Sequence, residues 1–206
     1  MAFRGWPAEA IEFYEGLLAD NSKTYWQAHK PTYDDQVRAP MAELLAELEP
    51  EFGAGKIFRP YRDVRFSADK TPYKTAIGAT LEGGGYVQLS ADGLAGGCGI
   101  WHMEGDTLQR YRAAVDDDAT GARLIGVIDE LRGRGIDVIS RDALKTAPRG
   151  FDRDHPRADL LRRKGLAAWQ AWPVGAWLGT AKAKARVTDF LRTAQPLHEW
   201  LVKHAG

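Results

Sequence analysis

The stretch "KTAIGATLEGGGYVQLSADGLAGGCGIWH", residues 74–102, decides the fold. It divides into three short runs, "KTAIGATLE", "GYVQLSAD" and "LAGGCGIWH", separated by turn residues. "GGG" at 83–85 and "DG" at 92–93 supply those turns, because glycine reaches backbone angles closed to other residues. Short runs punctuated this closely predict antiparallel strands.

On either side the grammar is helical. "PAEAIEFYEGLLADN" begins at Pro7 and spaces Ala10, Phe13 and Leu17 along one face, with Asn21 as a stop. "SKTYWQAH" reads as a short helix capped by Ser22. Met41, Leu44, Leu45 and Leu48 recur at helical spacing, with Pro40 kinking or starting that helix and Gly53 ending it. Beyond the strands, Leu108, Tyr111 and Val115 form one helical face, and Leu124, Ile128 and Leu131 another. "IDVIS" and "LAAWQAWPV" read as further strands. "AKARVTDFLRTAQPLHEWLVKH" reads as one broken helix or two short ones. Helix, sheet, then helix predicts an α+β fold in one domain, residues 1–206, with a central antiparallel sheet from residues 56–102 flanked by the N- and C-terminal helices.

The 206 residues suit one core, with 44% hydrophobic and 27% charged side chains. Cys98 is the only cysteine, which rules out an intrachain disulfide and a cysteine zinc cage. No secretory pattern and no bilayer-length apolar run is present, so a cytoplasmic protein without a membrane partner is expected.

Net charge is zero, but its distribution is uneven. Residues 1–56 carry five basic and ten acidic side chains, and residues 76–139 carry the same numbers. Residues 57–75 hold five basic against two acidic, and residues 140–165 eight against four. The first basic island contains "FRPYRDVRFSADKTPYKT", residues 58–75. As a strand, residues 57–66 would place Phe58, Pro60, Arg62, Val64 and Phe66 on a half-buried side. Arg62 would then need a carboxylate or a ligand anion. "SADKTPYKT" reads as a turn in which Ser67 or Asp69 bonds backbone N–H groups. Such a turn aims N–H groups and Lys70 at one point, an arrangement that suits phosphate or carboxylate.

The same stretch resembles the hallmark of an uncharacterised bacterial and fungal family, a domain of unknown function, with the pattern R-x-x-R-D-x-R-F-S-x-D-K-T-P-Y-K. The matching residues are Arg59, Arg62, Asp63, Arg65, Phe66, Ser67, Asp69, Lys70, Thr71, Pro72, Tyr73 and Lys74. "NSKTYWQAHKPTYDD", "GGCGIWHMEGDTLQRYRAAV" and "APRGFDRDHPRADLLRRKGL" resemble the family's other blocks. Gln27 departs from the pattern, which leads one to expect an acidic residue there. The resemblance implies a single fold-sized domain and no particular reaction.

The second island clusters Asp152, Asp154 and His155 in "GFDRDHP", with Lys164 downstream. Asp and His in this spacing suit imidazole orientation, metal ligation or acid–base work. They equally suit a helix start, with Asp154 or His155 as cap and Pro156 as the first helical residue. His29, His102 and His155 lack metal-ligand spacing, so no metal is assigned, and the sequence leaves any cofactor unknown. No nucleotide-binding glycine loop and no serine-hydrolase elbow is present. Zero net charge and short islands disfavour duplex nucleic acid.

Two function classes follow. In the first, an enzyme or small-ligand protein acts on an anionic small molecule. Arg59, Arg62, Arg65, Lys70, Tyr73, Lys74 and Lys164 would bind it, and Asp63, Asp69, Asp154 and His155 would position groups or move protons. In the second, a non-catalytic interaction domain uses the motif as an ion-pair lattice. The first class further predicts that the two islands share one site, with Lys70 and His155 near a common cavity.

Overall fold

In the computed structural model, which describes residues 2–65 and 68–206, three helical stretches precede the sheet. Helix α1 (Ala8–Ala19) buries Ala10, Ile11, Phe13, Tyr14 and Leu17. Helix α2 (Lys23–Thr32) is capped by Ser22, whose hydroxyl accepts from the Tyr25 N–H at 3.1 Å. A π-helical turn, Tyr33–Arg38, runs directly into α3 (Ala39–Phe52). Pro40 has no N–H to donate and its ring crowds the preceding turn. The wider turn, in which the Ala39 N–H reaches Asp34 O, delivers it into the first turn of α3. Met41, Leu44, Leu45 and Leu48 are buried, and Gly53 ends the helix at φ +79°.

Six strands follow: β1 (Gly55–Ile57), β2 (Ala76–Leu81), β3 (Gly85–Ser90), β4 (Gly93–Ile100), β5 (Asp137–Ile139) and β6 (Leu166–Pro173). They form one antiparallel sheet in the order β1-β2-β3-β4-β6-β5. β2 and β3 make a hairpin in which Gly78 faces Gln88 and Thr80 faces Tyr86. β3 alternates buried Gly85, Val87 and Leu89 with half-buried Tyr86, Gln88 and Ser90, the period-two pattern of a strand with one face in the core. The fold is α+β, as the run of turn-bounded segments predicts.

The chain groups into two compact units. One comprises residues 1–96 and 171–189, the other 97–170 and 190–206. The second unit carries α4 (Gly105–Asp116), α5 (Asp118–Gly133) and α6 (Ala158–Arg162). Tyr111, Val115, Leu124, Ile128 and Leu131 are buried, while Leu108 is only half-buried. Asp117 caps α5 by accepting the Thr120 N–H at 2.9 Å.

Three expectations change. Residues 57–66 do not form a strand beyond Ile57. Pro60 and Pro72 lack ladder donors, so the two arms of the loop meet only at an isolated bridge between Tyr61 and Tyr73. The C-terminal segment is one helix, α7 (Lys182–Ala205), which runs through Pro196. One missing hydrogen bond is outweighed by its buried stripe of Val187, Phe190, Leu191, Ala194, Leu197 and Leu201. Pro156 does not start a helix either, since α6 begins at Ala158. Among the described residues no helix is long and apolar enough to cross a membrane.

Gly93 opens β4 at φ +122°, and a Cβ there would lie 2.3 Å from Trp172 O. Gly93→Ala should therefore cost at least about 1–3 kcal/mol from backbone strain alone. A thermal melt would register this as a drop of several degrees, and an unchanged midpoint would contradict it.

Candidate functional site

The loop between β1 and β2 is closed by its own backbone. The Arg62 N–H donates to Pro72 O at 2.9 Å and the Lys74 N–H to Pro60 O at 2.8 Å. Asn21, just past α1, fastens it from outside. Its amide accepts the Tyr73 N–H at 3.0 Å and donates to Tyr73 O at 3.1 Å. The Tyr73 ring is buried against Trp26 of α2, stacked at 4.3 Å with the planes 8° apart.

Charged side chains then shape the loop interior. Arg62 donates to Asp69 and to the Thr71 hydroxyl. Asp69 also accepts the Thr71 N–H at 2.9 Å and its hydroxyl at 2.8 Å, so the expected turn role of Asp69 is observed. Arg65 grips Asp63 with Nε at 2.9 Å and Nη2 at 2.7 Å. Lys70 donates to Val64 O at 2.9 Å, and so supports the loop backbone where the sequence suggested an anion. Both carboxyls are shifted. Arg65 donation lowers that of Asp63. Arg62 donation, followed by the Thr71 bonds, lowers that of Asp69 to about 2. Arg62 does meet a carboxylate, as its half-buried place in the sequence pattern requires. Phe66 and Ser67 lie outside the described residues.

An open groove of about 520 Å³ runs along this loop. Its walls include Arg62, Asp63, Tyr73 and Lys74 from the loop, and Tyr86 and Gln88 from β3. Lys74 Nζ sits 5.3 Å from the centre of the Phe58 ring. Among the described residues no carboxylate lies within 4.0 Å of it, and the same holds for Arg59. Gly78 forms the floor because a Cβ there would come 2.5 Å from the Tyr86 hydroxyl. That hydroxyl pairs with Gln88 Oε1 at 2.9 Å.

Reading the sequence missed Asn21, Gly78, Tyr86 and Gln88 as parts of this site. The alternation of "GYVQLS" sets Tyr86 and Gln88 on the face away from Val87 and Leu89, which was the available signal. Asn21 gave none beyond its role as a helix stop.

The second island lies in the second unit, so Lys70 and His155 belong to different units. His155 Nδ1 accepts the Arg157 N–H at 3.0 Å, and Nε2 faces Asp116 Oδ1 at 3.2 Å. Asp152 accepts the Asp154 N–H at 3.0 Å, closing a tight turn. Lys164 pairs with Asp142 at 2.8 Å. Arg157, only 8% exposed, is the centre of this region. It donates to Val115 O at 2.6 Å, Asp116 O at 2.7 Å and Asp118 Oδ1 at 2.9 Å. In return Tyr111 and Arg112 of α4 donate to Leu160 O and Leu161 O, each at 3.1 Å.

The α+β architecture, with a cation-rich loop folded onto a β-hairpin, defines the class structurally. The chain belongs to the conserved hypothetical protein family DUF2461, whose model matches residues 9–200. None of the curated proteins is significantly similar to it. A conserved hypothetical protein from Pyrococcus furiosus matches with 12% identity and a TM-score of 0.35, over 83% of this chain and 98% of that one.

Two outcomes are expected. Because the ionised form of Asp69 is favoured in the folded state, its contribution to stability is complete above about pH 4 and is lost as pH falls through about 2. Carboxyl-carbon NMR should give a midpoint near 2, moving up in Arg62→Ala, and an ordinary midpoint in the wild type would contradict the pairing. Arg157→Ala should lower stability by about 1.5–3 kcal/mol, since it strips charged donors from buried carbonyls. An unchanged urea midpoint would exclude that role.

Proposed function

We propose that the groove between the loop and β3 binds a small molecule bearing a phosphate or a carboxylate. The observation that carries this reading is Lys74, which lines the groove and meets no carboxylate among the described residues. Arg62 lines the same groove, and with Lys74 it offers a planar fork and a point charge to an oxyanion. Phe58 and Tyr86 supply apolar wall, and Gln88 a polar contact, for the rest of the ligand.

Asp63 and Asp69 fit positioning better than proton transfer. A general base works best with an acidity constant near the working pH, and both carboxyls are shifted the other way. Their role in this reading is to hold Arg65 and Arg62.

Lys74→Ala should remove oxyanion binding and change the melting temperature of the free protein little, because among the described residues the side chain makes no ion pair and its contact with the exposed Phe58 ring is a weak one. The measurement is a thermal shift with phosphorylated and carboxylated metabolites. High concentrations of phosphate stabilise most proteins nonspecifically. The decisive quantity is thus the difference between wild type and Lys74→Ala at equal anion concentration. Identical responses would overturn the reading.

A further inference from the structure

A second cavity of the same unit, about 370 Å³, plays no part in the reading above. It is bounded by α2, the π-helical turn and residues 57–61. Trp26, Tyr33, Phe58 and Tyr61 bring four aromatic rings to its lining, Lys30, Arg38 and Arg59 bring three cations, and Asp34 brings a carboxylate. Phe58 and Tyr61 are 37% and 48% exposed, unusual for large aromatic side chains. Neither Arg38 nor Arg59 meets a carboxylate within 4.0 Å among the described residues, whereas the neighbouring Lys30 is paired with Asp34.

Trp26 adds a third and independent observation. It is 3% exposed, and its indole Nε1 is enclosed without an acceptor among the described residues. Enclosed donors are nearly always paired. The stack on Tyr73 holds the indole in place. Tyr33 and Arg38 both stand on the π-helical turn, a local geometry found often at functional sites.

We infer that this cavity binds a mononucleotide-class ligand, an aromatic base with ring acceptors joined to a phosphate. A base has a π-face for Phe58 or Tyr61, and its acceptors would satisfy the enclosed Trp26 N–H once the lining shifts to admit them. The guanidinium forks of Arg38 and Arg59 match a phosphate in shape as well as charge. The volume lies at the low end of small-ligand sites, roughly 300–1,000 Å³, which limits the occupant to one nucleotide. This site shares Phe58 with the Lys74 groove but has its own cations, Arg38 and Arg59, so either can fail without the other.

The test is titration of the full chain, labelled with 15N at tryptophan, with AMP, GMP, CMP and UMP, and separately with inorganic phosphate. Trp26→Phe identifies the Trp26 indole resonance and should bind more weakly. At least one nucleotide should move that resonance, and Tyr61→Ala and Arg59→Ala should each weaken binding by about tenfold. Both residues are exposed, so these variants test the site even if Trp26→Phe does not fold. Lys74→Ala removes any phosphate held in the groove, and the nucleotide-induced shift of the Trp26 resonance should persist in it. The inference is overturned if no nucleotide binds at millimolar concentration, if inorganic phosphate alone reproduces the shift, or if both exposed variants keep wild-type affinity.

Discussion

Tyr73 is gripped by Asn21 and Trp26, and the cation-rich loop depends on that grip. Asn21 closes two hydrogen bonds on its backbone, and Trp26 lies flat against its ring. Phe13 and Tyr33 pack in turn on Trp26, with centroids at 5.8 Å and 4.8 Å. A loop with two prolines pairs its arms at one bridge only, and five cations in 18 residues repel one another. Anchoring one buried aromatic residue fixes the exit of the loop. The short internal bonds from Arg62, Asp69 and Thr71 then set its shape. The groove and the aromatic-lined cavity each take part of their wall from the Trp26–Tyr73 stack.

Surface and buried arginines are satisfied differently. In the loop, Arg62 and Arg65 meet carboxylates at the surface, where water and salt weaken each pair. In the second unit, buried Arg157 and Arg112 draw mainly on backbone carbonyls. Val115 O and Asp116 O end α4, and carbonyls at a helix C-terminus carry partial negative charge with no partner inside the helix. One guanidinium thus satisfies several orphan acceptors. Gly121 makes the room, since a Cβ there would sit 2.6 Å from Arg157 Nε. The exchange is mutual, because α4 returns donors from Tyr111 and Arg112 to the carbonyls of Leu160 and Leu161.

The sequence was most legible where local chemistry decides the structure. Glycine turns, the Ser22 cap and the apolar stripe of α3 follow from steric and hydrogen-bonding rules acting over a few residues. The β-hairpin belongs to the same group. Pro196 misled because the burial of α7 is a tertiary effect that exceeds one lost hydrogen bond. Arg157 was invisible as a core residue because its partners are backbone oxygens some forty residues earlier, and no residue type marks them. The bond from Lys70 to the carbonyl of Val64 was hidden for a similar reason, because no residue type marks a backbone acceptor. Of the groove, the motif residues Arg62, Asp63, Tyr73 and Lys74 were legible, whereas the β3 wall required the hairpin register.

The groove's chemistry follows from how its charges are committed. Its lining contains two cations and one carboxylate, with neither histidine nor cysteine among the described residues. Asp63 is held ionised by Arg65, so at neutral pH it has little affinity for a proton. Asp69 is held further still by Arg62 and Thr71. Each carboxylate that gives the loop its shape is thereby withdrawn from acid–base work. Lys74 takes no part in that internal pairing and carries charge that the loop does not neutralise. An oxyanion in the groove would complete its charge balance.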